Sequence, residues 1–375
     1  MVLQLISCKL RRGYSLAKSG ISYYNIARHC EEGFSPTKQS IQMKIGSVAI
    51  DTNIFLAPMS GCTDLPFRLI AREHGCRFAF FEMVDANSLA RNRRQSFAIL
   101  NTIEGDSPIA GQLLGAEPST MLDAAQKILD HAKISFLDIN CACPVKKVVK
   151  KRAGAHLLRD TPRLYNILKK LIGALPVPVT IKIRTGYDNK DMRHLINMAK
   201  HCETLGVAAI FVHGRLAIQG YSGDVDYEAI KKIKEALSVP VFGSGNIFSP
   251  ELAKRMFDET ACDGILVARG ALGNPWIFKQ IEEYLNSGLA GIDVPLEEKK
   301  RILKKHLSYI DRYKAIRAQG KIGLMRKAAI WYLKSIPKAA RVREKITAAK
   351  NYEDLLGLID NAAISAARAS ARHEI

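Results

Sequence analysis

The sequence predicts an α/β fold, an eight-stranded (β/α)8 or TIM barrel followed by a small C-terminal helical domain. Three observations carry that expectation. From about Ile54 to Leu285, short apolar runs alternate with amphipathic stretches. The runs are almost continuously apolar, as strands covered on both faces require. Eight such units in about 230 residues is the length of a barrel of this kind.

In chain order the expected strands are Ile54–Met59, Phe78–Val84, Ile109–Leu114, Phe136–Asn140, Val179–Arg184, Ala209–His213, Val241–Ser244 and Gly264–Arg269. Between them, Thr120–His131, Met192–Leu205, Asp226–Leu237 and Pro250–Glu259 carry apolar residues at helical spacing. The chemistry of such a barrel sits at the C-terminal strand ends. Those ends read Ala57-Pro58-Met59-Ser60, Gly111-Gln112, Lys182 within Ile-Lys-Ile-Arg-Thr-Gly, Val212-His213-Gly214-Arg215, Gly243-Ser244-Gly245-Asn246 and Ala268-Arg269-Gly270. Glycines at the seventh and eighth ends let backbone N–H groups approach a phosphate. A glutamine on the third strand and a lysine on the fifth suit the polar edge of an isoalloxazine ring, where the lysine would stabilise negative charge.

The fourth strand runs into Asp138-Ile-Asn-Cys-Ala-Cys-Pro-Val-Lys-Lys147. A thiol at a strand mouth beside fixed positive charge can give or take a proton near neutral pH. Pro144 ends the strand, and Lys146 and Lys147 can hold an anionic substrate over it. A cysteine taken singly is more often an inert core thiol, and that reading suits Cys141 and Cys62. The flanking proline and lysines favour chemistry at Cys143, although alternation places Cys141 and Cys143 on similar faces. Lys182 inside an apolar strand needs a polar partner, because burying an unpaired ammonium is costly. A lone histidine is commonly structural, but His213 ends the sixth strand. Asp138 reads as structural.

This turn closely resembles the catalytic turn of the tRNA-dihydrouridine synthase family in its bacterial form, flavoenzymes that reduce a uracil base in transfer RNA. The family pattern is Asn, any residue, Gly, Cys, Pro and a basic pair. Asn140, Cys143, Pro144, Lys146 and Lys147 match it, and Ala142 stands where glycine is usual. The resemblance runs from about Met43 to Leu358 and implies a set of roles. Cys143 would be the general acid that protonates C5 as the C5–C6 double bond of specific uridines is reduced. Bound FMN would meet Pro58, Met59 and Ser60, then Gln112 and Lys182 around its ring, with His213 beside it. Ser244, Gly245, Asn246, Ala268 and Arg269 would hold its phosphate. The seventh-strand turn departs from the family's Asn-Gly-Asp, yet an amide at Asn246 still donates to phosphate. Asn140, Lys146 and Lys147 would meet the RNA. NADPH would be a transient reductant, since the chain carries no separate Rossmann fingerprint. Two rival classes are a small-molecule FMN oxidoreductase of the dihydroorotate dehydrogenase kind and a non-catalytic RNA-binding protein on a decayed barrel. The first has no use for a basic tail; the second has no use for Cys143, Lys182 and His213.

The net charge of +20 is concentrated near the C-terminus. Between Leu296 and Lys350, seventeen Lys or Arg face four Asp or Glu. Ile302, Leu303, Leu307 and Ile310, then Ile330, Leu333 and Ile336, fall at helical spacing, and Arg326, Lys327, Lys334, Lys338, Arg341 and Arg343 are expected along one side. Alone such a run is a solvated face. Beside a flavin barrel it reads as the footprint of tRNA, with Arg326 and Lys327 among the contacts. The expected organisation is an extension over 1–42, a barrel over 43–287, a linker at Gly288–Pro295 and a basic helical domain over 296–375. Arg11 to Gln42 has no sustained period; it reads as an extension from an early start codon or as a disordered targeting or RNA-binding tail. No apolar run reaches membrane-spanning length. The eight cysteines form no pair of C-x-x-C sites, so zinc is not expected. A reduced, cytoplasmic monomer is the expectation.

Overall fold

The computed structural model describes residues 43–289, 291, 293–334 and 339–362. The extension over 1–42, Ile336, Lys338 and residues 363–375 lie outside them. The described chain opens with a hairpin that the strand pattern does not announce. β1 (Met43–Ile45) pairs antiparallel with β2 (Val48–Ile50), turning at Gly46 with φ +57°. Its Ile45 and Ile50 join the cluster inside the barrel and close its lower end.

Eight parallel strands then form a closed barrel: β3 (Ile54–Leu56), β4 (Phe78–Asp85), β5 (Ile109–Leu114), β6 (Leu137–Asn140), β7 (Val179–Arg184), β8 (Ile210–His213), β9 (Val241–Ser244) and β10 (Gly264–Val267). β10 pairs with both β3 and β9, which closes the ring. The helices on its outside are α1 (Leu65–Glu73), α2 (Ala86–Ala90), α3 (Arg94–Ile99), α4 (Pro118–His131), α5 (Lys146–Val149), α6 (Thr161–Ile172), α7 (Met192–Thr204), α8 (Tyr227–Ala236), α9 (Pro250–Thr260) and α10 (Ile277–Ser287). Their starts are written locally. Asp64, Glu117, Asp160, Asp191, Asp226 and Ser249 each cap a helix by accepting a backbone N–H three residues on. α1, α4, α6 and α9 also carry proline in the first turn, where its missing N–H costs nothing. β3 stops at Leu56 rather than Met59, because Pro58 has no N–H for a ladder. β10 stops at Val267, before a 3-10 turn at Arg269–Ala271.

Strand alternation sorts the barrel into two environments. Leu137, Ile139, Ile181, Ile183 and Val212 face outward to the helices. Phe55, Phe78, Phe80, Phe136, Phe211 and Phe242 fill the lower interior, with Phe55 and Phe78 stacked at 4.2 Å. One step up the same strands, the inward positions turn polar: Gln112, Asp138, Asn140, Lys182, Arg184 and His213. An apolar plug therefore supports a polar mouth.

Four further helices, α11 (Leu296–Tyr313), α12 (Ala318–Tyr332), α13 (Ala339–Ala348) and α14 (Tyr352–Asp360), enclose a second core around Leu303, Leu307, Met325, Leu333, Ile346 and Leu355. Ile70 of α1 belongs to that core, so the tail is docked on the barrel. The dock is also polar. Tyr309 donates to Glu73 at 2.6 Å, Lys305 pairs with Glu73 at 2.7 Å, and Lys314 pairs with Asp64 at 3.0 Å. Gly273, at φ +72°, lies so close to Trp331 that a Cβ would stand 2.2 Å from its carbonyl oxygen.

Candidate active site

β6 ends at Asn140, whose Oδ1 accepts the N–H groups of Ala142 at 3.1 Å and Cys143 at 2.9 Å. The carbonyl of Cys143 accepts from Ala155 at 3.0 Å, and Gly154 crowds the same oxygen too closely for any Cβ. Buried Arg184 donates to Ala142 O at 2.8 Å and, through Nη1, to Leu216 O and Gly220 O at 3.0 and 2.9 Å. These bonds hold the turn from several sides. Cys143 is a free, half-buried thiol. Burial pushes its pKa up, partly offset by the Val145 backbone and by Arg184 and Lys182. The group is therefore protonated at neutral pH, suited to giving a proton.

The nearby positive charge is not the one read from the sequence. It comes from Arg184 and Lys182, whereas Lys146 and Lys147 stand exposed on α5. The expected common face of the two cysteines also fails, because the turn breaks the strand alternation. Cys141 packs in the outer core, where burial drives its pKa well above the usual thiol range.

Nine residues named above for the cofactor line one cleft: Pro58, Met59, Lys182, His213, Ser244, Gly245, Asn246, Ala268 and Arg269. The cleft encloses about 90 Å³ of cavity and opens to solvent at its mouth. Among the described residues no carboxylate lines it. Burial and Arg184 lower the Lys182 pKa to about 8, against the opposing pull of Asp138 and Cys143. No described residue accepts a hydrogen bond from that ammonium. His213 is held down to about 2 by burial and by Lys182, Arg184, Arg215 and Arg269, so its ring is neutral. Arg215 lies 3.4 Å from its Nε2. Because guanidinium only donates, Nε2 is the acceptor and Nδ1 carries the proton.

Gly245 and Asn246 take φ +133° and +50°, the first a backbone conformation open to glycine. Among the described residues neither N–H finds an acceptor. Arg269 stacks on Tyr221 at 4.4 Å and Phe248 at 5.3 Å and reaches Asn246 Oδ1 at 3.5 Å. Among the described residues, the ammonium at one end of this open cationic cleft donates no hydrogen bond and two backbone N–H groups beside Arg269 at the other are free, which fits a flavin ring and phosphate.

Two of the named residues lie elsewhere. Ser60 is exposed outside the cleft, and Gln112 is buried with both amide atoms bonded to Asp138 and Asn140. Asn140, expected to touch substrate, is likewise buried and spends its side chain on Gln112 and the Cys143 turn. Sequence reasoning assigns no site role to Arg184 or Glu82. Glu82 is an inward carboxylate near the mouth whose pKa burial raises, and it accepts from the N–H of Gly61. Its place after Phe78 and Phe80 on the same face was the available signal. Lys327 does not project outward: its Nζ donates to Gly61 O and sits 5.3 Å from the Trp331 ring. Arg326 is half-buried, its Nε without a partner among the described residues. Several α11 cations are paired, including Lys300 with Glu297, Arg301 with Glu298 and Lys304 with Asp360. On and just after α13, Arg341, Lys345 and Lys350 are exposed and in no ion pair among the described residues. The described residues hold no metal-ligand cluster and no helix long and apolar enough to cross a membrane.

The family profile described as "Dihydrouridine synthase (Dus)" matches residues 55–368. The chain belongs to the dihydrouridine synthase family. It is 38% identical over 301 residues to tRNA-dihydrouridine synthase B of Pseudomonas aeruginosa, covering 80% of this chain and 90% of that one. It is 37% identical to the protein of the same name from Vibrio parahaemolyticus, covering 86% of this chain and all of the relative. Among solved structures it resembles histamine dehydrogenase from Rhizobium sp. 4-9 with a TM-score of 0.52, 12% identity and coverage of 72% of this chain and 50% of that one. A 2-naphthoyl-CoA reductase complex matches at 0.51, with 12% identity and coverage of 65% and 52%. These two likenesses concern the fold alone.

Proposed function

We propose that this protein is a flavin-dependent tRNA-dihydrouridine synthase, reducing the C5–C6 double bond of uridines in tRNA. One observation carries the reading: a member of this family keeps a protonated thiol, Cys143, at the barrel mouth beside a cationic cleft free of carboxylates among its described residues. The cleft suits FMN, with Lys182 at the ring and Gly245, Asn246 and Arg269 at the phosphate, and NADPH is the reductant. Bound FMN supplies the reducing equivalents that C6 of the base receives.

The chain's own residues do the rest. The free cations of α13, with Lys146 and Lys147, hold RNA phosphates while the target base leaves its stack. Cys143 Sγ then gives its proton to C5. The resulting thiolate is stabilised by Arg184 and Lys182, and a solvent proton restores the thiol. His213, neutral, offers a hydrogen bond without adding charge. A cytoplasmic monomer completes the reading. The small-molecule alternative is disfavoured by the family match and by a basic tail for which it has no use.

Mass mapping of dihydrouridine in tRNA from cells with and without this gene tests the proposal. Specific positions should lose the modification when the gene is absent. Unchanged tRNA, together with purified protein that releases no FMN on denaturation, overturns it.

A further inference from the structure

Below the mouth, four buried side chains form one continuous hydrogen-bonded chain. Asp138 Oδ1 accepts from Thr180 Oγ1 at 2.8 Å, and Asp138 Oδ2 accepts from Gln112 Nε2 at 2.7 Å. Gln112 Oε1 accepts from Asn140 Nδ2 at 2.8 Å. Asn140 Oδ1 accepts from the N–H groups of Ala142 and Cys143. Asp138 is fully buried, and Gln112 and Asn140 nearly so.

The direction of every link follows from its two ends. Burial raises the Asp138 pKa to about 7, opposed by its hydrogen bonds to Gln112 and Thr180 and by Lys182. In its ionised form it only accepts, so Gln112 must turn its NH2 to Asp138 and its carbonyl to Asn140. At the far end a backbone N–H only donates, so Asn140 must turn its carbonyl to Cys143. Both ends demand the same orientation of two amides that are otherwise free to flip. A buried polar network of this kind is worth keeping only when every member is satisfied. No alternative pairing satisfies both ends.

From this we infer that Asp138 is a positioning residue for the acid. By fixing the orientation of Gln112 and Asn140, it sets the conformation of the turn that presents Cys143. The inference rests on the proposed role of Cys143 but has a readout independent of it.

The test is a donor–acceptor swap. Gln112→Glu sets two buried carboxyl groups against each other, which can pair only by sharing a proton. Asp138→Asn is the milder change: the amide can give its carbonyl to Gln112 and its NH2 to Thr180 Oγ1, which accepts as well as donates, so only the donor bond of Thr180 is lost. In Asp138→Asn/Gln112→Glu the amide and carboxylate exchange places, Asn140 again meets an acceptor, and the turn is restored. For dihydrouridine formation, kcat should fall about 100-fold in Gln112→Glu, as for a displaced catalytic group, with little change in KM for tRNA. Adding Asp138→Asn should recover most of that loss, although the same change lowers the wild-type rate. Alkylation of Cys143 by iodoacetamide, followed by peptide mass mapping, reads the turn without any turnover. It should speed up in Gln112→Glu, as the turn opens, change less in Asp138→Asn, and return to the wild-type rate in the double. If the double variant regains thermal stability but not the wild-type alkylation rate, the chain is structural only and the inference fails. If alkylation follows the pattern while no variant, nor the wild type, makes dihydrouridine, the positioning stands and the functional reading falls.

Discussion

Lys182 and Arg184 are buried at the barrel mouth, whereas Arg341 and Lys345 stand in solvent on the third tail helix. Both regions are basic, and the two kinds of charge obey different physics. Inside the mouth, desolvation lowers the pKa values of Lys182 and Arg184, and neighbouring thiol and ring feel them at short range. On the tail the charges keep their hydration and are screened within about 8 Å at physiological salt. Burial makes a cation a chemical reagent; exposure makes it a counterion for phosphate. The mouth should therefore answer to single substitutions and ignore salt, and the tail should do the reverse.

The largest expected effect is at the mouth. Cys143→Ala should lower dihydrouridine formation by about 10²–10⁴, the usual worth of a positioned general acid, while FMN stays bound; mass mapping and the flavin spectrum measure the two. Cys141→Ala, in the outer core, should leave the rate close to wild type. Equal losses in both variants would show that the turn does not separate the two thiols.

Next comes Lys182→Met. A hydrogen bond from a charged group is worth about 1.5–3 kcal/mol, so FMN should bind roughly 10–100-fold more weakly. Flavin fluorescence titration at low and high salt reads it, and the loss should be the same at both. A salt-dependent loss would assign Lys182 to the exposed class.

His306 sits where the two regions meet, buried against Phe67 of α1 and Tyr332 of α12. Burial is the main cause holding its pKa down to about 4, and nearby Asp64 and Lys327 act in opposite directions. The folded state thus binds fewer protons than the unfolded one, so stability falls as pH drops from about 6.5 toward 4. By pH 4.5 the loss should reach about 2–3 kcal/mol. His306→Gln should remove that part of the pH dependence. Thermal melts at pH 7.5 and 4.5 compare the two proteins, and parallel acid losses would refute the assignment.

The smallest effect per residue belongs to the tail. Replacing Arg341, Arg343 and Lys345 with Ala should weaken tRNA binding. It should also flatten the dependence of log affinity on log salt, by about 0.7–0.9 for each phosphate no longer neutralised. Flavin binding should not change. Lys327→Ala should act differently, loosening the Gly61 loop with little change in salt slope, because its ammonium is committed to the barrel. Deleting the whole tail is a poor substitute, since it would uncover Ile70 and Phe67.

Most of the barrel was legible because its signals are local. Three strands, Ile109–Leu114, Val179–Arg184 and Val241–Ser244, match to the residue. A run of apolar residues bounded by turn formers states its own length. The opening hairpin was missed because three-residue strands carry almost no periodic signal. The division of each strand into an outer apolar and an inner aromatic-then-polar face was also hidden. When both faces are apolar, alternation leaves no trace in hydropathy.

At the site, the sequence by itself determined which groups are available: a thiol after the fourth strand, a lysine within the fifth, a histidine ending the sixth, glycines at the last two. Those identities follow from position along the chain and from the rule that strand ends meet at one mouth. Only the tertiary structure decided how they are used. It exchanged Lys146 and Lys147 for Arg184 and Lys182 as the charges beside Cys143, turned Gln112 and Asn140 inward to Asp138, and spent Lys327 on docking. The reason is physical: burial, hydrogen-bond direction and the distance between charges on neighbouring strands are pair properties. They arise when the barrel closes, and no single stretch of sequence contains them.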